Sequence, residues 1–285
     1  MSSAVAFAYH DVGARCLQVL LDAGVDVRLV VTHRDDPAEG IWFASVERLA
    51  RGRGLDVLVD PDAATLERRV REAAPDFLFS FYYRRMLPPA LLALALRGAY
   101  NMHGSLLPKH RGRAPVNWAV LLGDTETGAT LHEMVEKPDA GRIVDQQAVP
   151  IGPDDTALEV FRRVTGAAEA VLRRSLPRLL DGTAELRAQD FSHGSYHGGR
   201  RPEDGRIDWS RSAAEIHNLV RAVAPPYPGA FTDDDGVRRR ILRTRLEPAR
   251  RARGGSPGPY RENHAWFADC GDGRVLALLE VDPPA

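Results

Sequence analysis

The chain has 285 residues, of which 44% are hydrophobic and 27% charged, enough for a sizeable core in one or two domains and unlike a disordered or fibrous polypeptide. Its net charge of −1 excludes a general electrostatic pull toward nucleic acid or anionic lipid. No run of about 18 apolar residues occurs, which argues against a membrane-spanning helix.

The opening "MSSAVAFAYH" lacks a basic start and a long apolar stretch, so it does not read as a signal peptide. Within it, "AVAFAYH" is a short apolar run, most simply a buried strand. "RCLQVLLDAG" has helical spacing and ends at Gly24, a natural C-cap. "VDVRLVVTH" is the next strand, "ASVERLARGRG" a helix, "LDVLVD" a strand, and "TLERRVREAA" a helix stopped by Pro75. "DFLFSFYY" is a strand, "PALLALAL" a short helix ended by Gly98, and "AYNMH" a further strand end. Strands alternating with helices imply right-handed crossovers and a mostly parallel sheet covered on both faces.

After a Gly- and Pro-rich loop, "APVNWAVLLGD" reads as a helix. "GATLHEMV" and "GRIVDQQAVPI" have strand character and are joined by "EKPDA". A long amphipathic helix starts after Asp155, which reads as its N-cap. Residues 183–206 turn polar and irregular, which sets the expected division: a catalytic domain over 1–190 and a small, mostly β domain over 200–285. The second part holds a helix, "AAEIHNLVRAV", a turn, "PPYPGA", and short strands separated by Gly, Pro and Asp.

The chemistry concentrates at "NMH". Asn101 and His103 are two apart, so on a strand both point to one side. At the carboxyl edge of a parallel sheet they face the crevice where α/β folds bind ligands. An amide that donates to a developing oxyanion beside an imidazole that moves a proton is a minimal acyl-transfer pair. Alone, Asn-x-His is also the pattern of a turn-capping Asn and a half-buried His. "EKPDAGRI" places Asp139 in a tight turn; a carboxylate brought beside His103 stabilises its imidazolium and raises its pKa. An ordinary turn residue reads the same way. Asp145 is the competing acid, expected to face solvent from a strand.

The loop "GSLLPKHRGRAP" carries Lys109, His110, Arg111 and Arg113 between Pro108 and Pro115. Fixed and permissive backbone points suit a loop that brings N–H and guanidinium groups to an anionic ligand. No G-x-G-x-x-G, P-loop or G-x-S-x-G pattern occurs, and the histidines match no zinc spacing, so no metal is expected. Cys16 and Cys270 make no metal-ligand pattern, and a reducing cytoplasm is the expected compartment.

The run "NMHGSLLPKHRGRAPVNWAVLLGDTETGATLHEMVEKPDAGRIVDQ" resembles the folate-dependent formyltransferases. The nearer likeness is to the formyltransferase domain of the bifunctional enzyme that modifies UDP-4-amino-4-deoxy-L-arabinose. "VAFAYHDVG", "FSFYYRRML", "GRRPEDGRIDW" and "HNLVRAVAPPYPGAF" extend it over nearly the whole chain. The resemblance implies a Rossmann-like formyltransferase domain with a mostly parallel sheet, followed by a small OB-like β domain. It implies 10-formyltetrahydrofolate as formyl donor and an amine as acceptor, with Asn101, His103 and Asp139 as the catalytic set. By the same likeness the folate lies along Arg85, Met86, Leu87, Arg113, Val135, Glu136, Lys137 and Pro138, and Arg200, Arg201 and Tyr227 contact the acceptor.

Methionyl-tRNA formyltransferases share this site but carry an early basic insertion that grips tRNA. The matching segment here, "THRDDPAEGIWFASV", holds the acids Asp35, Asp36 and Glu39 instead. A tRNA binder needs several cations against phosphates, so a nucleotide-linked amino sugar is the expected acceptor. The bifunctional enzyme also has a dehydrogenase-like part that this sequence does not show, so any oxidative step is expected to be carried out elsewhere. A formyltetrahydrofolate hydrolase needs a similar Asn/His/Asp set with water as acceptor.

Overall fold

The computed structural model describes residues 1–35, 40–234 and 236–282; Asp36 and Glu39 lie outside these described residues. In chain order the elements are β1 (Ser3–Ala8), α1 (His10–Asp22), β2 (Asp26–Thr32), α2 (Val46–Gly52), β3 (Val57–Val59), α3 (Ala63–Ala73), β4 (Phe77–Phe81), α4 (Pro89–Leu92) and β5 (Gly98–His103). There follow β6 (Arg111–Gly112), α5 (Pro115–Leu121), β7 (Glu126–Glu133), β8 (Ile143–Pro150), α6 (Ala157–Asp181) and β9 (Tyr196–His197). Last come α7 (Ala213–Val223), β10 (Ala230–Asp234), β11 (Val237–Leu246), β12 (Gly258–Glu262), β13 (Ala265–Asp269) and β14 (Val275–Asp282). The chain forms two compact units. The first comprises Met1–Gly112, Gly128–Val149 and Arg163–Tyr196; the second comprises Arg113–Thr127, Pro150–Arg162 and the chain from His197 onward.

The first unit is built on a seven-stranded sheet of order β3-β2-β1-β4-β5-β7-β8. The five strands from β3 to β5 are mutually parallel, and β7 joins β5 antiparallel. β1 and β4 are buried along their whole length, as strands covered on both faces must be. Phe77, Phe79 and Phe81 alternate along β4 and stack at 5.8 and 5.7 Å on one face. Each such ring contributes roughly 1.5–3 kcal/mol by leaving water. This rigid centre holds the carboxyl end of β5 in place.

Two helical readings need adjustment. In "PALLALAL" only Pro89–Leu92 is helical. The Leu96 and Arg97 N–H groups donate to Pro75 and Asp76 carbonyls, at 3.2 and 2.8 Å, and draw the chain back toward β5 before the helix can continue. The cap of α6 is Thr156 instead of Asp155. Thr156 and Glu159 exchange backbone and side-chain hydrogen bonds, while the Asp155 carboxylate accepts from the Gly152 N–H.

The second unit carries a five-stranded antiparallel sheet of order β10-β11-β14-β13-β12. Ile216 and Val220 of α7 pack with Ile241, Ala268, Leu276 and Leu278 in one core, and Tyr260, Phe267, Val275 and Ala277 form a smaller cluster. Helix α7 begins with a Ser212/Glu215 capping box, a feature that stabilises a helix start by about 1 kcal/mol. Its buried Arg221 donates to the Gly152 and Asp155 carbonyls, and its buried His217 contacts Thr244 and the Pro153 carbonyl. No helix among the described residues is long and apolar enough to cross a membrane.

Candidate active site

Asn101 and His103 occupy the last turns of pleat on β5 and share one face. Strand β7 lies antiparallel beside them, with Asn101 opposite His132 and His103 opposite Thr130. The hairpin after β7 then delivers Asp139. The Glu133 N–H bonds the Arg142 carbonyl at 2.9 Å, and the two side chains pair at 2.7 Å, which closes the turn at its base. Gly141 is required there, because a Cβ at that position would lie 2.0 Å from the Glu133 carbonyl oxygen. Asp139 has φ 52°, a left-handed conformation that Asp tolerates better than most residues. Gln189 donates to the Asp139 and Gly141 carbonyls at 2.9 and 2.7 Å and fixes the turn from outside.

The result is a convergence. One Asp139 oxygen lies 3.5 Å from His103 Nδ1 and 3.5 Å from His132 Nε2. The other accepts the Gly112 N–H at 2.8 Å. Asn101 Nδ2 lies 3.2 Å from His132 Nε2, and His132 Nδ1 is 2.6 Å from the Glu133 carbonyl. His103 Nε2 is 2.8 Å from the His110 carbonyl. A carbonyl only accepts, so Nε2 carries the proton in this arrangement.

The loop after β5 is tied down at several points. Thr130 donates to the Ser105 carbonyl at 2.6 Å and accepts from the Leu107 N–H at 3.1 Å and the Gln146 amide at 2.9 Å. The His110 N–H donates to Ser195 Oγ at 2.8 Å, and the Arg111 N–H to the Ser195 carbonyl at 3.0 Å. The loop therefore has fixed geometry: Lys109 is exposed, but His110 is buried. Asp145, the competing acid, does not face solvent. Arg174 and Ser175 of α6 bind its carboxylate at 2.7 and 2.9 Å, which removes it from contention.

Burial sets the charge states. Burial would raise the Asp139 carboxyl, but the polar groups around it, the Gly112 N–H among them, outweigh it and hold it well below the usual carboxylate range. For His103 burial pushes the pKa down; Asp139 and the His110 carbonyl push it up and do not compensate. Asp139 acts in the expected direction, yet the net shift is downward, so the resting ring is neutral.

The same holds at the carboxyl ends of β1, β2 and β4, where aromatic rings crowd. His10 stacks on Phe43 at 3.9 Å, and burial lowers its pKa to about 4. His33 stacks on Tyr83 at 4.3 Å and is fixed neutral, donating to Asp60 at 2.9 Å and accepting the Arg84 N–H at 3.1 Å. Burial likewise lowers His33 and His217. In the unfolded chain these imidazoles titrate near the ordinary value and so bind more protons than in the folded one. Stability is then full above about pH 6.5 and falls as pH drops toward 4. The urea midpoint is expected to be lower at pH 5 than at pH 7.5, and His10→Gln to blunt the difference; equal midpoints at the two pH values would contradict these assignments.

The remaining expected residues divide between the units. In the first, Leu87 is buried in the cluster that also packs Met134, while Met86 and Val135 leave apolar side chains 63% and 41% exposed. Arg85 is held by Asp60 at 3.0 Å and by the Pro61 carbonyl. Glu136 and Lys137 are exposed beside half-buried Pro138, with the Lys137 ammonium 5.7 Å from the centre of the Phe191 ring. In the second unit, α5 gathers the others. The Arg113 N–H bonds the His197 carbonyl at 3.0 Å, His197 stacks on Trp118 at 4.5 Å, and the Arg200 guanidinium covers the Trp118 ring at 5.1 Å. Burial pushes the Tyr227 hydroxyl up to about 12, with Asn117 as its partner. Arg201 is exposed at the start of a short 3-10 turn.

Sequence reasoning missed His132, Thr130 and Ser195. The alternation in "GATLHEMV" carried the signal for the first two, since a strand places Thr130 and His132 on one face. Nothing local marked Ser195. No group of His, Cys, Asp or Glu among the described residues is arranged to hold a metal ion.

Residues 12–176 match the family model "Formyl transferase", and residues 200–285 match "Formyl transferase, C-terminal domain". Among solved structures, the chain is similar to an N-formyltransferase from Helicobacter canadensis in complex with folinic acid and dTDP-3-aminofucose, with TM-score 0.76, 20% identity and 98% of each chain covered. It is also similar to WlaRD, a sugar 3N-formyl transferase solved in the presence of dTDP and 5-N-formyl-THF, with TM-score 0.75, 18% identity and coverage of 98% and 97%. A third is a sugar N-formyltransferase from a Shewanella species, with TM-score 0.64, 19% identity and coverage of 84% and 95%. At these identities the likeness establishes the fold.

Proposed function

We propose that this chain, which belongs to the formyl transferase family, moves a formyl group from 10-formyltetrahydrofolate to the amine of a nucleotide-linked amino sugar. The observation that carries the reading is the convergence of Asn101, His103 and Asp139 at the carboxyl end of β5. The exposed apolar pair Met86 and Val135, on segments joined through the Leu87 and Met134 cluster, suits a flat heteroaromatic donor. The solved structures that name dTDP or a dTDP-linked amino sugar together with a folate support donor and acceptor class. The finer expectation is an acceptor of the UDP-4-amino-4-deoxy-L-arabinose type, with Arg200, Arg201 and Tyr227 as its contacts. Both cysteines are free and buried, and the cytoplasm is the compartment proposed.

The residues divide the work. Asn101 presents an amide N–H where the formyl oxygen gains negative charge as the amine adds to the formyl carbon. His103, neutral through burial, takes the proton that the amine releases and delivers it to the folate nitrogen as the carbon–nitrogen bond to the donor breaks. Asp139 stabilises the imidazolium that exists between those two transfers. For this, His103 Nε2 exchanges the His110 carbonyl for the substrates, and the ring proton moves to Nδ1, where Asp139 faces it. Neutral His103 thus serves first as base.

The test is a panel of UDP- and dTDP-linked amino sugars, with methionyl initiator tRNA alongside, each incubated with 10-formyltetrahydrofolate and read by mass spectrometry. Formylation of at least one sugar nucleotide, and none of the tRNA, is expected. Preferential formylation of the tRNA, or release of free formate without any acceptor, overturns the assignment of acceptor.

A further inference from the structure

We infer that His132 is a positioning residue: its Nε2 lone pair holds the Asn101 carboxamide so that the second amide N–H faces the reacting carbonyl. This rests on the formyl-transfer reading above, and it concerns a side chain to which that reading gives no role.

The argument is one of counting protons. His132 Nδ1 lies 2.6 Å from the Glu133 carbonyl, which only accepts, so Nδ1 carries the hydrogen. A neutral imidazole has one such hydrogen, which leaves a lone pair on Nε2. Asn101 Nδ2 lies 3.2 Å from that nitrogen. The carboxamide has two N–H bonds on this nitrogen; one is spent on His132 and the other remains for a ligand. Turning the amide over would set its oxygen against the lone pair, two acceptors face to face. His132 therefore selects one of the two amide orientations.

The backbone makes the contact reproducible. Asn101 and His132 stand directly across the β5–β7 ladder, where side chains on one face come within reach of each other. His132 is buried, with 2% of its side chain exposed, so water does not compete for Nε2. The Asp139 oxygen, at 3.5 Å, is farther from Nε2 than Asn101 is. An oxyanion donor works only if aimed where the charge will develop, and an amide free to turn presents its oxygen there half the time.

The experiment compares His132→Phe with His132→Gln, whose Oε1 reaches the place of Nε2 and accepts the same hydrogen bond. His132→Phe is expected to lower kcat about a hundredfold, the scale of a mispositioned group, with KM for both substrates unchanged. His132→Gln is expected to restore most of the rate. In the protein without substrates, nitrogen-15 spectra of the wild type are expected to show His132 with an unprotonated Nε2 and one slowly exchanging Asn101 side-chain amide proton. The inference is overturned if His132→Phe turns over at the wild-type kcat, if His132→Gln falls as far as His132→Phe, or if the spectra show a protonated Nε2 directed at Asp139. The spectra need no turnover, so a wild type that formylates nothing defeats the functional reading, while the spectra still decide the His132–Asn101 pairing.

Discussion

Changing His103 to alanine is expected to lower kcat for formyl transfer about a hundredfold or more, the loss typical of a positioned acid–base group. The substitution removes a buried ring whose contacts are the Asp139 carboxylate and the His110 carbonyl. The proposed donor and acceptor contacts lie elsewhere, so KM should stay within about threefold if the loss falls on the transition state alone. Steady-state kinetics with 10-formyltetrahydrofolate and the best sugar nucleotide decide it. An alanine variant that keeps the wild-type kcat removes His103 from the chemistry.

The second large effect belongs to Asp139→Asn. The amide keeps the shape and can still accept the Gly112 N–H, so the turn persists while the negative charge is lost. Without that charge the imidazolium of His103 loses the attraction that raises its pKa, and only the His110 carbonyl is left to oppose burial. A fall in kcat of about a hundredfold is expected from the lost acid–base function, together with a further downward shift of the His103 pKa by NMR titration. The two readouts are linked: an unchanged His103 titration alongside a reduced rate would assign Asp139 to ligand contact instead of charge.

Much of this architecture was legible from residue order alone. β1, β2 and β4 announce themselves as apolar runs punctuated by Gly24 and Pro75, because a strand buried on both faces admits few polar residues. Helix α7 coincides with "AAEIHNLVRAV", where periodic burial and a capping box agree. The Asn101 and His103 pair was legible from the period of two, and Asp139 from its turn. What could not be read locally were the partners. Arg174 takes Asp145 from 29 residues away, so a carboxylate that alternation places in solvent is occupied. The balance at His103 was also invisible, since it depends on how deeply β7 and the following loop bury the ring, and burial outweighs the Asp139 charge. The cap of α6 differed for a smaller reason: Asp155 is drawn to the Gly152 N–H, and the next residue takes the helix start.

The anchoring of the loop after β5 carries a consequence for biosynthesis. Its ties to Ser195 and the tie of the Asp139 turn to Gln189 cross 85 and 50 residues of chain. A ribosome making this polypeptide completes the five parallel strands long before it releases those two anchors. The strands that present Asn101 and His103 are therefore in hand early, but the backbone that frames them is secured late. The framing of Asn101 and His103 is therefore expected to be completed only once α6 and the segment behind it have been made.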